Sequence, residues 1–393
     1  MKTLFKIQID PYLTSILLIA LVVRLIFFFA LPPQHFPDAI AYRTIGHEIF
    51  SGQLITNHIY MPLYPIFTFI TGGGKIQILV EIILSVMSIW IIFLLAMRLF
   101  RDRLVSLFAA SISAFYPHFI FFSLSGLTET FYIFLCLLSF LLFYRKQIVW
   151  GIIISIIAIL IRPSFDLLNP LLVVCFVSFV HKLDLRAVVK FVCIYFVIYL
   201  VLMSSWWVHQ YYKYDTFVRL TLGDGVVLYA GNNPLNKSGG GINGVDVDES
   251  ILGDFNDPIL RNKAQKAAAF EFATSNPTRF IELAGLKFIR FWRLWPYTDQ
   301  YQQWYIIGAS ILSYGVVLIL SIGFLFRGGR TYFVKLMPIY ITVIYLTLVH
   351  MITIGSIRYR LPLEPFLIIF ASHFIVDFCK EKQWLKYFHK TLT

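Results

Sequence analysis

Residues 76–97 read IQILVEIILSVMSIWIIFLLAM, an apolar run that contains one ionisable residue, Glu81. A helix needs about 20 such residues to cross the hydrocarbon core of a bilayer. Similar runs recur along the chain, which has 393 residues, 59% of them hydrophobic and 14% charged. A chain of this composition has too few polar groups to cover a water-facing surface. The sequence therefore predicts an all-α polytopic membrane protein.

About ten apolar segments are predicted to span the membrane: residues 13–31, 76–97, 104–122, 131–144, 149–161, 167–180, 191–208, 304–326, 336–353 and 363–379. Their spacing predicts three domains. Residues 1–208 form an N-terminal transmembrane bundle with an amphipathic outer loop at 32–75. Residues 209–303 form a mixed, partly helical extracytoplasmic domain. Residues 304–393 hold the C-terminal transmembrane helices and a basic cytoplasmic tail.

The net charge of +12 is interpreted as a signal of topology rather than of nucleic-acid binding, because Lys and Arg are retained on the cytoplasmic side. With the N-terminus inside, every inner loop is basic. These loops hold Lys2, Lys6, Arg98, Arg101, Arg103, Arg145, Lys146, Lys182, Arg186, Lys190, Arg327, Arg330, Lys335, Lys380, Lys382, Lys386 and Lys390. Residues 61–71 are too short to span comfortably, so they are predicted to be re-entrant or interfacial. Both termini are then cytoplasmic in a multi-pass cell (inner) membrane protein.

The ionisable residues near the outer span ends come from the whole length of the chain. They are Asp38, Glu48, Glu81, Glu129, Arg162, Asp166, Arg358, Arg360 and Glu364. Charges near hydrocarbon are costly, so each is a candidate for function. A pump or channel would more often place them at mid-depth along a path. The pattern therefore predicts one site at the outer boundary between membrane and water.

Each candidate also has a structural interpretation. Asp38 begins an amphipathic stretch that Gly52 can end, so it could serve only as a helix N-cap. Glu129 could favour a helix N-terminus, and Arg358 with Arg360 could bind lipid headgroups. Tyr64 could be an interfacial aromatic residue.

Metal-binding and nucleotide-binding patterns are not visible in the sequence. The cysteines Cys136, Cys175, Cys193 and Cys379 lie in apolar runs, and His35, His47, His58 and His118 show no metal-ligand spacing. We therefore predict no metal site, although a divalent cation remains an open alternative. No nucleotide-binding fingerprint is present.

Several short motifs occur in a fixed order. They are RL at 24–25; Asp38, Tyr42 and Gly52 in one frame; MPLYP at 61–65; LTE at 127–129; IRP at 161–163; YAGNNP at 229–234; and RYRLPLEP at 358–365. Together they resemble the GT-C superfamily of polyprenyl-phosphate-sugar glycosyltransferases. The branch is the bacterial one related to protein O-mannosyltransferases and the lipid A aminoarabinose transferase. Ala39 departs from the pattern, since many relatives carry a second acid there.

The resemblance implies a GT-C-type transmembrane helix bundle and an inverting transfer from a polyprenyl-phosphate sugar to a hydroxyl of a glycan, lipid or protein. It implies Asp38 as the general base that accepts the hydroxyl proton. Arg358, Arg360 and Arg162 are expected to bind the donor phosphate. Glu129, Tyr42 and Tyr64 are expected to contact the acceptor or support the site.

Three alternatives remain open. An O-antigen ligase or polymerase would use a polyprenyl-diphosphate donor with much the same topology. A lipid or glycan transporter would show mid-membrane charges or an inverted repeat. A non-catalytic assembly subunit would retain its role without Asp38.

The predicted sidedness can be tested with a reporter fused after Asn243, in the largest predicted outer segment. We expect activity from a reporter that works only outside the cytoplasm, because the basic loops on either side are retained inside. Activity of a cytoplasmic reporter at the same position would overturn both the sidedness and the outer location of the site.

Overall fold

The computed structural model describes residues 10–32, 36–55, 57, 59–241, 247, 256–298 and 301–382. The predictions that involve Lys2, Lys6, His35, His58, Asn243, Lys386 and Lys390 fall outside these residues. Within them the chain is helical, with no β-strand. The α-helices are α1 Pro11–Ala30, α2 Pro37–Phe50, α3 Leu63–Ile70, α4 Gly74–Phe100, α5 Arg103–Ala114, α6 Pro117–Phe122, α7 Thr128–Tyr144, α8 Ile148–Ile159, α9 Leu168–Cys175, α10 Leu185–Tyr214, α11 Gly223–Gly231, α12 Pro258–Ser275, α13 Pro277–Trp292, α14 Trp304–Ser310, α15 Val316–Arg327, α16 Phe333–Ile352, α17 Ile357–Arg360 and α18 Glu364–Glu381.

Six helical segments among the described residues are long and apolar enough to cross a membrane. They are Pro11–Ala30, Gly74–Phe100, Leu185–Tyr214, Trp304–Arg327, Phe333–Ile352 and Ile357–Glu381. Four shorter apolar helices are Arg103–Ala114, Thr128–Tyr144, Ile148–Ile159 and Leu168–Val180. The all-α polytopic fold is therefore confirmed. Two of these segments contain a π-helical turn, Phe176–Val180 after α9 and Ile311–Gly315 between α14 and α15.

The segment predicted as one span at 104–122 is two helices. α5 ends at Ala114, and α6 begins at Pro117 after an extended Tyr116. A proline disfavours helical geometry in the residue before it and has no N–H for the preceding turn. Pro117 therefore starts a new helix.

α2 corresponds to the predicted amphipathic stretch, but Asp38 is not its N-cap. The N-cap is Phe36, and Pro37 occupies the first position of the helix. Asp38 therefore lies inside the first turn, where its carboxylate is available to residues outside α2. The helix ends as expected, with Gly52 at a φ of +68°.

α3 has eight residues, which is about 12 Å of helix and too short to cross a bilayer. It packs against α2. This length agrees with the interpretation of residues 61–71 as re-entrant or interfacial. Because such a segment does not cross the membrane, the predicted alternation of inner and outer loops is unchanged.

α11, α12 and α13 lie between α10 and α14. Asp257 caps α12 by accepting a hydrogen bond from the Ile259 amide at 2.8 Å, as its sequence predicts. The buried Lys287 of α13 donates to Asn232 Oδ1 at 2.7 Å and to the Ile352 carbonyl at 3.2 Å. Burial lowers the pKa of Lys287 to about 7.

The backbone of α11 also approaches the end of α16 closely. A Cβ on Gly231 would lie 1.9 Å from the Thr353 carbonyl oxygen, so a larger residue does not fit there. These contacts fix the chain that leads from α16 into α17.

Candidate active site

Arg358 of α17 lies at the centre of a cluster of charged side chains. Its Nη1 donates to Asp38 Oδ2 at 2.7 Å. Its Nε donates to Glu129 Oε1, and its Nη2 lies 3.4 Å from Glu129 Oε2. One guanidinium therefore bridges the first turn of α2 and the first turn of α7.

Glu129 also pairs with Arg162, whose Nη1 donates to Glu129 Oε1 at 3.0 Å. The cluster thus contains two carboxylates and two guanidinium groups. The Glu129 side chain is only 1% exposed, whereas those of Asp38 and Arg358 are 30% and 28% exposed. Glu129 lies on the buried side of the cluster, and Asp38 and Arg358 lie on its exposed side.

Tyrosines support Asp38 from one side. The Tyr60 hydroxyl donates to Asp38 Oδ1 at 2.8 Å. The Tyr42 ring packs edge-on against Tyr60 and Tyr64, with centroids 4.9 and 4.8 Å apart. Tyr64 itself donates to Glu81 rather than to Asp38. Tyr42 therefore packs between Tyr60 and Tyr64 beside the cluster, and the supporting role expected of Tyr42 and Tyr64 stays a prediction.

The protonation state of Asp38 depends on its burial and on the neighbouring Arg358 and Tyr60 side chains. Burial alone would raise the pKa of Asp38, but the charge of Arg358 and the hydrogen bonds from Arg358 and Tyr60 lower it below its ordinary value. Asp38 is therefore ionised at neutral pH. Burial and the nearby Asp38 carboxylate raise the pKa of Tyr60, so Tyr60 stays a hydrogen-bond donor.

Arg162 is positioned by two rings. Its guanidinium lies over Tyr359, 5.5 Å from the ring centroid, and over Tyr132 at 5.8 Å. Tyr359 in turn stacks on His350, with centroids 4.5 Å apart and planes 3° apart. The last turn of α16 therefore supports Arg162 through Tyr359.

Arg360 is not brought to the cluster. It is fully buried, and its Nε donates to Glu364 Oε1 at 2.9 Å. Its Nη1 donates to the carbonyls of Phe291 and Arg293 at 3.0 and 2.5 Å. His118 completes this second group at 2.9 Å from Glu364. These contacts do not favour Arg360 as a ligand of the donor phosphate, which stays an untested prediction.

Asp166 and Tyr60 show the limits of the sequence patterns. Asp166 pairs with Arg219 and accepts from Tyr199 at 2.6 Å, so it belongs to a different ion pair. Tyr60 was missed because it lies 22 residues from Asp38 in a non-helical stretch, where no periodic spacing connects the two.

A divalent cation would need several oxygen or nitrogen ligands close together. Among the residues that the structure describes, no three His, Cys, Asp or Glu side chains form such a group. The two carboxylates of the cluster are bridged by Arg358 rather than arranged around a shared space.

The fold is similar to that of a solved structure, the archaeal oligosaccharyltransferase AglB from Archaeoglobus fulgidus in complex with an inhibitory peptide and a dolichol-phosphate. The TM-score is 0.57 at 14% sequence identity, and the match covers 97% of this chain. It covers 52% of AglB, so this chain spans about half the length of that protein. The likeness shows that this chain shares the helix-bundle fold of that protein. No family model and no curated protein sequence match the chain.

Glu129→Gln is expected to destabilise the protein by about 1–3 kcal/mol, because Arg162 and Arg358 both lose the buried carboxylate that they share. Thermal unfolding of the purified variant in detergent measures the effect. Glu282→Gln is a matched control, since Glu282 forms an exposed pair with Arg279 and such pairs contribute little. Equal melting temperatures for both variants and the parent would show that the cluster does not hold the helix ends together.

Proposed function

We propose that this chain is a membrane-embedded glycosyltransferase that transfers a sugar from a polyprenyl-phosphate-linked donor to a hydroxyl acceptor. The direct contact between Asp38 and Arg358 carries the proposal. The family resemblance implies proton acceptance for one of these residues and phosphate binding for the other, and they lie 320 positions apart. The fold likeness to AglB, whose structure contains a dolichol-phosphate, adds support.

The proposed reaction is a single displacement at the anomeric carbon. The acceptor oxygen forms a bond to C1 while the bond from C1 to the phosphate oxygen breaks, and the configuration inverts. The hydroxyl proton passes to Asp38, whose carboxylate is partly open to the surroundings. The bonding electron pair leaves with the phosphate, where Arg358 and Arg162 compensate the developing charge.

Arg358 has a second role in this scheme, because it is bound to Asp38 before the donor arrives. A donor phosphate competes with Asp38 for the Arg358 guanidinium, while Glu129 stays bound to the Nε and Nη2 atoms of Arg358. When Arg358 turns towards the phosphate, Asp38 loses the positive charge that lowers its pKa. Donor binding therefore strengthens the base just before the proton must move.

The membrane location follows from the same proposal. A polyprenyl chain dissolves in the hydrocarbon core, so its phosphate and sugar lie at the boundary where α2, α7 and α17 begin. The basic loops support an outer-face location for this boundary, with both termini in the cytoplasm. The acceptor is then a glycan, lipid or protein hydroxyl outside the cytoplasm.

Asp38→Asn tests the proposed base directly. The amide keeps the size of the side chain but cannot accept a proton, so single-turnover transfer should fall by about 10² to 10⁴. Donor binding should largely survive, because Arg358 and Arg162 remain. Asp224→Asn is the control, since Asp224 lies in an exposed pair with Lys266. Near-parental transfer by Asp38→Asn would move the role of base to another residue, with Glu129 next to be tested.

Tyr60→Phe is expected to move the pH profile. Removing the Tyr60 hydroxyl takes away a hydrogen bond that lowers the pKa of Asp38, so that pKa rises. The base must be ionised, so the acid limb of kcat/KM, which reports the free enzyme, should move to higher pH. Tyr305→Phe, at an exposed ring, should leave the limb in place. An unchanged acid limb in Tyr60→Phe would separate Asp38 from the proton transfer.

A further inference from the structure

A cavity of about 430 Å³ lies at the end of the bundle opposite to Asp38. Its lining includes Tyr144, the last residue of α7, whose first turn carries Glu129. The two residues are therefore about 22 Å apart along the helix axis. The lining also includes Phe333 at the start of α16. The last turn of this helix carries His350, which stacks on Tyr359 near Arg162. This cavity is separate from the candidate active site.

The lining of this basic cavity carries many positive charges and no acidic side chain. It contains Arg98, Arg101, Lys146, Lys182, Arg330 and Lys335, contributed by four different helix connections. His181 also lines it, and its pKa is lowered by burial and further by the charges of Lys146 and Arg98. The cations thus act on one shared space rather than on separate surfaces.

Helix capping accounts for part of this set. Arg98 Nε donates to the Tyr144 carbonyl at 3.0 Å, and Lys335 Nζ donates to the Leu99 carbonyl at 2.7 Å. Cations at the carbonyl ends of helices are stabilising without any ligand. Among the described residues, Arg101, Lys146 and Lys182 form no ion pair, and all three are exposed, so capping does not account for them.

The backbone gives an independent reason to separate these three residues from ordinary surface cations. Arg101, Lys146 and Lys182 have φ values of 54°, 62° and 52°. They are three of the four described non-glycine residues with positive φ, and all three line this cavity. Gly or Asn is the usual residue in this conformation at a helix end. A strained conformation that is kept for a charged side chain is typical of functional positions.

The rim of the basic cavity is apolar. Phe179 is 47% exposed and Phe333 is 53% exposed, and they lie in the apolar segments Leu168–Val180 and Phe333–Ile352. A soluble phosphate gains nothing from such a rim, whereas acyl chains pack against it. Basic pockets between transmembrane helices bind phosphate-bearing lipid headgroups.

We infer that the basic cavity binds the headgroup of an anionic phospholipid from the leaflet at that end of the bundle, with its acyl chains against Phe179 and Phe333. The lipid phosphate compensates the charges of Arg101, Lys146 and Lys182. This site does not depend on the proposed transfer reaction.

The test is lipid retention by the purified full chain in phosphatidylcholine nanodiscs that contain phosphatidylglycerol, measured by native mass spectrometry. The parent should retain phosphatidylglycerol in preference to phosphatidylcholine. Lys146→Asn with Lys182→Asn should lower the apparent affinity about 30-fold, or about 2 kcal/mol, at roughly 1 kcal/mol for each lysine. Asn suits a positive φ, so this variant should fold as the parent does.

Two matched variants make the result specific. Arg186→Gln with Lys190→Gln removes two exposed charges that do not line the cavity, and it should retain the lipid like the parent. Lys146→Arg with Lys182→Arg keeps both charges and should also retain it. The inference is overturned if the Asn variant binds phosphatidylglycerol as tightly as the parent. It is equally overturned if inorganic phosphate displaces the lipid as effectively as added phosphatidylglycerol.

Discussion

The bridge that Arg358 forms between Asp38 and Glu129 is the interaction on which the rest of the candidate site depends. A charge at the end of an apolar bundle is costly unless a group of opposite sign compensates it. Arg358 lies 320 residues after Asp38 and 229 residues after Glu129, on three separate helices. These charges can meet only if the fold brings the starts of α2, α7 and α17 together. The helix packing and the charge pairing therefore require each other.

Arg358 can serve this role because Arg360 holds the segment in place. Side chains two residues apart on a helix point about 200° apart, so the two arginines of α17 face different surroundings. Arg360 is buried against Glu364 and two carbonyls near the end of α13, and its guanidinium lies 3.5 Å from the centroid of the Tyr314 ring. It anchors α17 from the inside, and Arg358 is left on the open side. These contacts give Arg360 a positioning role in the fold, and its predicted contact with the donor phosphate stays untested.

The sequence was sufficient for the features that depend on lipid as the solvent. Apolar runs predict the helices, and the rarity of charges at their ends yields nine candidate residues. The structure brings four of the nine together: Asp38, Glu129, Arg162 and Arg358. The sequence was not sufficient where two residues of the same type differ only in the groups that pack around them. Nothing local distinguishes Arg358 from Arg360, since the carbonyls at the end of α13 make the difference. Pro37 displaced Asp38 from the N-cap, and Tyr60 reaches it from an irregular segment. The basic loops indicated topology, but not that four of them enclose one cavity.

The two ends of the bundle present cations to a phosphate in physically different ways. In the cluster at Asp38, both arginines already contact a carboxylate, so a phosphate must displace Asp38 from Arg358 before it is bound. Exchange of one anion for another keeps binding reversible, which suits a substrate that must leave after each turnover. In the basic cavity, no carboxylate lines the wall, and the cations repel one another until an anion arrives. Binding there replaces repulsion with attraction and requires no exchange, which suits a lipid that stays. Under the two proposals, the placement of acidic side chains decides which end releases a phosphate and which end retains one.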